Sequence, residues 1–551
     1  MPAPGIEFVT RRSTAPAGPS TRADVAVFAG LIGRQPGALP AALRSALAEA
    51  GWRDGGTFDT PDGRIECLLG VPIAVQSWAE FDALFNWRSR APVAGSALRM
   101  PCPLGLAVRQ FFAQGGAKAW IVRCGDPLSL AAPDLTSDQF AERQLRALAG
   151  PIAPDADGVP ILPGFQSRSR DADPLDPATW AGAAAIYAID DAAMLLLPDL
   201  PDLAAGPPQI AEPLPEPPGP PEAFRPCAPV ETGEPALPER KAVPDYRAVR
   251  LGQARYRVWS AALTHALALL GRPRGPAHRR DVMMVSALPL PDPGVDLGGR
   301  IAQWPLDLLA APGFAGSTKA PLALFDAAAI GNARLQLGYP WLATPDAAAC
   351  PEGLQSPEGT LAGMLSRSAL ELGGFRSAAG RAVRGSMAAV PDIAPSDRSR
   401  GLPGRADWLG DRLCLFAVQR GVLELASDAT MADSRAWRKG GVSRLVGIIL
   451  RACRDLGAEL LFEPNGPHLW SRLAGSVTAV LEALRASNAF EGAAADTCYQ
   501  VICDQRSMSP ADIDQGRLRC DVVINPASPI DRIVVTLALL DPVPAHLRAA
   551  A

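Results

Sequence analysis

Two pairs of closely spaced carboxylates are the residues in this chain best suited to chemistry. Asp190-Asp191 and Asp512/Asp514 could each hold a divalent cation or divide acid and base roles. Both sit in turn-like sequence, where acidic residues are ordinary. The four histidines, His265, His278, His468 and His546, are far apart, and none has a His, Cys or carboxylate partner at metal-ligand spacing. Gly313-Phe314-Ala315-Gly316-Ser317-Thr318-Lys319 comes nearest to a phosphate-binding loop. Its order is wrong, because the glycines must lead into Lys-Ser/Thr and a helix, and here Ala320-Pro321 follows. No Gly-x-Ser-x-Gly elbow for a hydrolase nucleophile is present. The ten cysteines form no Cys-x-x-Cys pair, and several lie in apolar runs, which predicts buried free thiols in a reducing compartment. The residues therefore assign no catalytic group, no cofactor site and no metal site.

The elements around these residues say more. Leu460-Leu461-Phe462 is an apolar run, and Glu463-Pro464-Asn465 stops it. A helix is predicted from Pro467 to Ala486, with Leu469 and Trp470 in its first turn and Leu473, Val477, Val480 and Leu484 continuing the apolar face. Glu463 and Asn465 read as residues that fix the turn by hydrogen bonding.

Compact α/β sequence begins at Asp24 to Gly30, a buried-strand run. Pro72 to Val75 reads as a strand, and Ser77-Trp78-Ala79-Glu80 has capping-box spacing for a helix through Phe85. Pro103 to Gln114 is a helix that Gly115-Gly116 ends, and Ala119 to Cys124 is a strand. Trp180 to Ile189 and Asp245 to Leu270 read as helices, Met194 to Pro198 and Asp281 to Ser286 as strands. Residues 198–244 are a Pro-rich loop, and 288–400 read as irregular. Strand Arg412 to Val418, helix Val442 to Leu456, strand Ala458 to Phe462 and three closing strands (Cys498 to Asp504, Arg517 to Asn525, Asp531 to Leu540) complete the pattern.

The chain has 551 residues, enough for roughly three or four domains, with 48% hydrophobic and 20% charged residues. A net charge of −4 offers no basic field for nucleic acid. No signal peptide or membrane-spanning run is legible, so cytoplasmic synthesis without membrane insertion is expected. Strand-like segments at both ends, with Ile6, Phe8 and Val9 at one and Ile533, Val534, Val535, Thr536 and Leu537 at the other, have no sequence-local partner.

Seven landmarks in order resemble the sheath proteins of contractile phage tails and related injection machines. They are Pro4-Gly5-Ile6-Glu7-Phe8-Val9; Val75 to Phe81 followed by Phe85; and Pro103 to Phe112 with Gly115 to Arg123. Next come Asp191 to Pro198; Tyr339-Pro340-Trp341-Leu342 with Ser356 to Gly363; and the Phe462-Glu463-Pro464-Asn465 and Leu469-Trp470 stretch. The last is Asp512 to Leu518 with the strand Asp521 to Ile524 and Pro526-Ala527. One departure is Met364-Leu365-Ser366-Arg367-Ser368, where the family's aspartate is missing.

The resemblance implies an α/β (α+β) multidomain fold. Residues 1–22 would be a linker arm, 23–125 and 400–530 a discontinuous assembly core, 126–399 an outer insertion, and 531–551 a second strand arm. It implies a non-enzymatic subunit that polymerises helically, as hexameric rings, around an inner tube protein. Arms would add strands to neighbouring subunits, and contraction would drive the tube through a target envelope. Baseplate and terminator or cap proteins, an AAA+ ATPase and other sheath paralogues are the further partners it implies. Arg472, Ser476, Glu482 and Arg485 mark the Pro467 to Ala486 helix as a candidate tube contact. A baseplate or adaptor protein with the same core is the alternative, and a cytosolic α/β enzyme the other.

Overall fold

The computed structural model describes residues 22–52, 62–150, 158–165, 179–211, 245–271, 279–292, 333–393, 409–432, 434–460, 463–514 and 518–527. The elements that matter here run in chain order as β1 (Ala26–Leu31), β2 (Ile73–Val75), α1 (Trp78–Leu84), α2 (Pro103–Gln114), β3 (Ala119–Gly125) and β4 (Met194–Leu196). They continue as α3 (Gln253–Gly271), β5 (Met283–Ala287), β6 (Leu335–Tyr339), α4 (Glu358–Leu372), β7 (Cys414–Gln419) and β8 (Val422–Leu425). The last are α5 (Gly440–Glu459), α6 (Pro467–Ala486), β9 (Tyr499–Ile502) and β10 (Asp521–Ile524).

Eight strands form one mixed sheet in the order β8-β7-β6-β5-β4-β1-β3-β2. The six inner strands run parallel, and β2 and β8 are antiparallel edges. Apolar groups on both faces explain the unbroken hydrophobic runs of β1 and β3, because a parallel sheet is covered on each side. Phe28 turns to α2 and α4, among Phe111, Leu361 and Leu365, while Val27 and Ala29 turn to the opposite core, which holds Trp259 of α3.

The α2–α4 contact explains two of the sequence landmarks. Gly115 caps α2 with φ 107°, a left-handed conformation that favours glycine. On α4, a Cβ at Gly359 would lie 2.2 Å from the Ala107 carbonyl oxygen, and one at Gly363 would lie 2.5 Å from that of Phe111. Only glycine at both positions lets the two helix backbones touch.

The mixed α/β class is as expected, but several boundaries are corrected. The 126–399 span does not stand outside the core, since it supplies β4, β5 and β6 to the same sheet as β1 and β7. Within the supposedly irregular 288–400 lie β6 and the buried helix α4. The strand expected at Ala458 to Phe462 is absent over its described part. Helix α5 continues through Glu459, because Leu445, Ile448, Ile449, Ala452 and Leu456 keep helical spacing and Ala458 and Glu459 extend it readily. Trp180 to Ile189 forms a 3-10 helix over Gly182–Ala188. Helix α3 starts at Gln253 and not Asp245, because the backbone before it is engaged elsewhere. Arg247 N–H donates to the Gln209 carbonyl, and Ala248 N–H to Glu352 Oε2 at 3.0 Å.

Candidate assembly interface

Helices α5 and α6 and the β9–β10 hairpin form a separate C-terminal cluster of apolar side chains. Its organiser is the turn before α6. Trp470 Nε1 donates to Asn465 Oδ1 at 2.7 Å, and Arg472 Nη1 donates to both Glu463 oxygens at 2.6 and 2.7 Å. Pro467 occupies the first turn, where its missing N–H costs nothing. Leu469, Trp470, Leu473, Val477, Leu481 and Leu484 are buried on one face. Glu463 and Asn465 thus each accept a side-chain hydrogen bond from the first turns of α6. Phe462 lies outside the described residues, and Pro464 is exposed.

The four residues named on α6, the candidate tube-contact helix, lie on more than one of its faces. Arg472 is held by Glu463. Ser476 lines a groove of about 740 Å³ between α6, the end of α4 and Arg22 to Asp24. Glu482 and Arg485 pair with each other at 2.8 Å, and the Tyr499 hydroxyl donates to Glu482, which ties them to β9. The exposed strip of α6 is instead His468, Ser471, Arg472, Gly475, Ala479, Ala483 and Ala486.

The hairpin β9–β10 stands apart from the central sheet in being a sheet of two strands. Its residues are half-buried or exposed, and Val523 is 57% exposed. Tyr499 pairs with Ile524 and Ile502 with Asp521. Asn525 N–H donates to the Cys498 carbonyl, while Tyr499 N–H turns away to the Ala495 carbonyl. The alternation this sets points the N–H groups of Val501, Val522 and Ile524 outward, where no described strand meets them. The arm strands Ile6, Phe8, Val9 and Ile533 to Leu537 lie outside the described residues.

Buried ion pairs tie this cluster to the large sheet. Arg444 of α5 meets Asp428 at 2.6 Å, and Asp428 also accepts from Ala378 N–H and from Gln336 of β6. Burial alone would raise the Asp428 pKa, but the Arg444 charge and these hydrogen bonds prevail and bring it down to about 2. Arg451 Nη1 donates to the Asp281 carbonyl at 2.9 Å and Nη2 to the Arg22 carbonyl at 2.8 Å. Arg454 and Arg279 pair with the Asp281 carboxylate.

One carboxylate of each pair that could have done chemistry is engaged in structural contacts. Asp191 is bound by Lys118 Nζ at 2.7 Å and Trp120 Nε1 at 2.9 Å. Ser509 and Asp512 exchange side-chain and backbone hydrogen bonds at the start of the short helix Pro510–Asp514. His265 contacts the Pro163 carbonyl at 2.8 Å, and His278, His546 and Gly313 to Lys319 lie outside the described residues. Among the described residues, no group of three or more His, Cys, Asp or Glu side chains could hold a metal ion. Nor is any described helix long and apolar enough to cross a membrane.

No protein-family model matches the sequence, and no curated protein matches it. Solved structures do match, over nearly the whole chain. A chain of the anti-feeding prophage (AFP) baseplate in contracted state aligns with a TM-score of 0.54 and 17% identity, over 98% of this chain and 99% of that one. The AFP helical sheath in contracted state aligns at 0.49 and 15% identity, with 98% of each chain covered. The PVC sheath complex of an extracellular contractile injection system, also contracted, aligns at 0.49 and 14% identity, again with 98% of each chain covered. This chain thus shares the fold of a chain of the AFP baseplate in contracted state.

Proposed function

We propose that this chain is a structural subunit of a contractile sheath. The observation that carries the reading is the β9–β10 hairpin. A two-stranded sheet is marginal alone, and unpaired edges invite another chain. Here the hairpin is held out on a cluster pinned to the large sheet by Arg444–Asp428 and Arg451–Asp281. The segments 1–22 and 531–551 would serve as arms that add strands to a neighbour's hairpin. Ile6, Phe8 and Val9, or Ile533 to Leu537, would face the acceptor. A contact that does not close on itself builds a helix of subunits around a tube. Baseplate and cap proteins would end that helix, and a AAA+ ATPase would act on its contracted form. Helix α6, through its small exposed strip, is the proposed tube-facing element. Assembly in the cytoplasm and a release of stored strain on contraction complete the reading.

The test is negative-stain microscopy of the purified chain with its tube protein. Tubes or rings are expected, and deleting 1–22 or 531–551 should abolish them while circular dichroism stays native. A chain that remains monomeric with tube protein present would sink the proposal. A second reading, a baseplate component, is favoured by the AFP baseplate chain with its TM-score of 0.54. One ring of copies per particle would select it, and many stacked rings the sheath.

A further inference from the structure

We propose that Cys503 and Cys520 form a cross-strand disulfide that staples the β9–β10 hairpin at the end where its connecting segment leaves the two strands. The register places them opposite each other. Ile502 pairs with Asp521, so the next pair outward is Cys503 with Cys520. The hydrogen-bond alternation makes Ile502–Asp521 a bonded pair, which leaves Cys503–Cys520 a non-bonded one. In such pairs the side chains approach most closely, with Cα atoms about 4.5 Å apart, inside the ~4.4–6.8 Å span that a disulfide tolerates. Both side chains turn to the same side, into the apolar cluster with Val501, Val522 and Cys453 of α5. Cys503 is 8% exposed and Cys520 half-buried, so one sulfur is reachable from solvent and the other is reachable from the first. Both thiols are free in this structure.

The chemistry balances with a small-molecule disulfide such as oxidised glutathione as the oxidant. The Cys520 thiol loses its proton, and its sulfur attacks one glutathione sulfur. A mixed disulfide forms and one glutathione thiolate leaves, taking up the proton. Cys503 then loses its proton, attacks the Cys520 sulfur and expels the second glutathione. Two protein thiols lose two electrons in all, and the oxidant becomes two thiols. Burial sets the rate. It pushes the Cys520 thiol up to about 12 and raises Cys503 as well, so little thiolate exists near neutrality. Closure is slow in a reducing compartment and accumulates once a long-lived assembly meets an oxidising one. The staple closes a loop opposite the outward N–H groups, so it stiffens the hairpin without covering its edges. The bridge itself does not depend on the sheath reading, but its use in holding a loaded acceptor sheet does.

The experiment uses the full-length chain, reduced and then held with oxidised glutathione at about pH 8. Remaining thiols are alkylated and the tryptic peptides mapped without reduction. Cleavage after Arg485, Arg506, Arg519 and Arg532 gives one peptide with Cys498 and Cys503 and another with Cys520, and fragmentation separates Cys498 from Cys503. The expected product is a Cys503–Cys520 bridge whose formation rate rises about tenfold per pH unit from about pH 7 to 9. Cys520→Ser should remove it, and Cys453→Ser should leave it intact. A dominant bridge through Cys453, or Cys503 and Cys520 still alkylated after exposed Cys67 has fully reacted, would overturn the proposal. Because mapping needs no polymer, a failed assembly assay and a failed staple are told apart.

Discussion

The central sheet and the C-terminal hairpin follow opposite building rules. The sheet has eight strands, parallel inside, with apolar layers on both faces and glycine-mediated contact between α2 and α4. Every inner strand is paired on both sides. The hairpin has two strands, a half-wet surface and outward N–H groups on both edges. A finished sheet needs no partner, whereas an unfinished one is stable only with help from its own helices or from another chain. The buried Arg444–Asp428 and Arg451–Asp281 contacts couple the two regions, so force on the hairpin reaches the sheet.

The largest expected effect comes from breaking that coupling. Arg444→Ala leaves Asp428 buried without its cation and should cost about 3–5 kcal/mol in urea unfolding. Unchanged stability would show that the two regions are not joined there. Trp470→Ala empties the cluster under the hairpin. It should cost about 3 kcal/mol and stop assembly, and normal polymers from this variant would refute its packing role.

pH separates the regions next. Asp199, beside β4, and Glu358, at the start of α4, are pushed up to about 7 by burial, against hydrogen bonds from Leu31 and Ser356. Their folded values lie above the unfolded ones. Their contribution is thus fully present below about pH 4 and lost as pH rises through about 7. Asp428 has the opposite sign, since its folded value of about 2 lies below the unfolded one. Its contribution is present above about pH 4 and lost as pH falls toward 2. Asp199→Asn should therefore raise the melting temperature at about pH 8 and not at about pH 4. An equal shift at both would contradict the burial argument. The smallest effect belongs to Arg472→Ala, which breaks a half-exposed ion pair with Glu463 and should cost less than about 1 kcal/mol.

The parts of the fold legible in the sequence are those whose local signals agree with their burial. Helix α2 shows Pro103 at its start and Gly115 at its end, and β1 and β3 are unbroken apolar runs. Strands β9 and β10 are β-favouring and lie where they were expected. Strand β6 was hidden because Gln336, which binds Asp428 in the core, breaks its apolar pattern. Helix α4 was hidden because Gly359 and Gly363 read as helix breakers until the backbone of α2 is seen against them. At the candidate interface, the Asn465–Trp470 turn was legible from spacing. The spread of Arg472, Ser476, Glu482 and Arg485 over several faces was not, because it is set by Glu463, Tyr499 and a groove wall distant in sequence.

The most direct test of the account is amide hydrogen exchange at Val501, Val522 and Ile524, compared between the isolated subunit and the assembled polymer. Fast exchange in the subunit and strong protection in the polymer is the expected result, since these N–H groups gain strand partners only on assembly. Equal exchange in both states would mean that the hairpin edges stay open and that assembly proceeds through another surface.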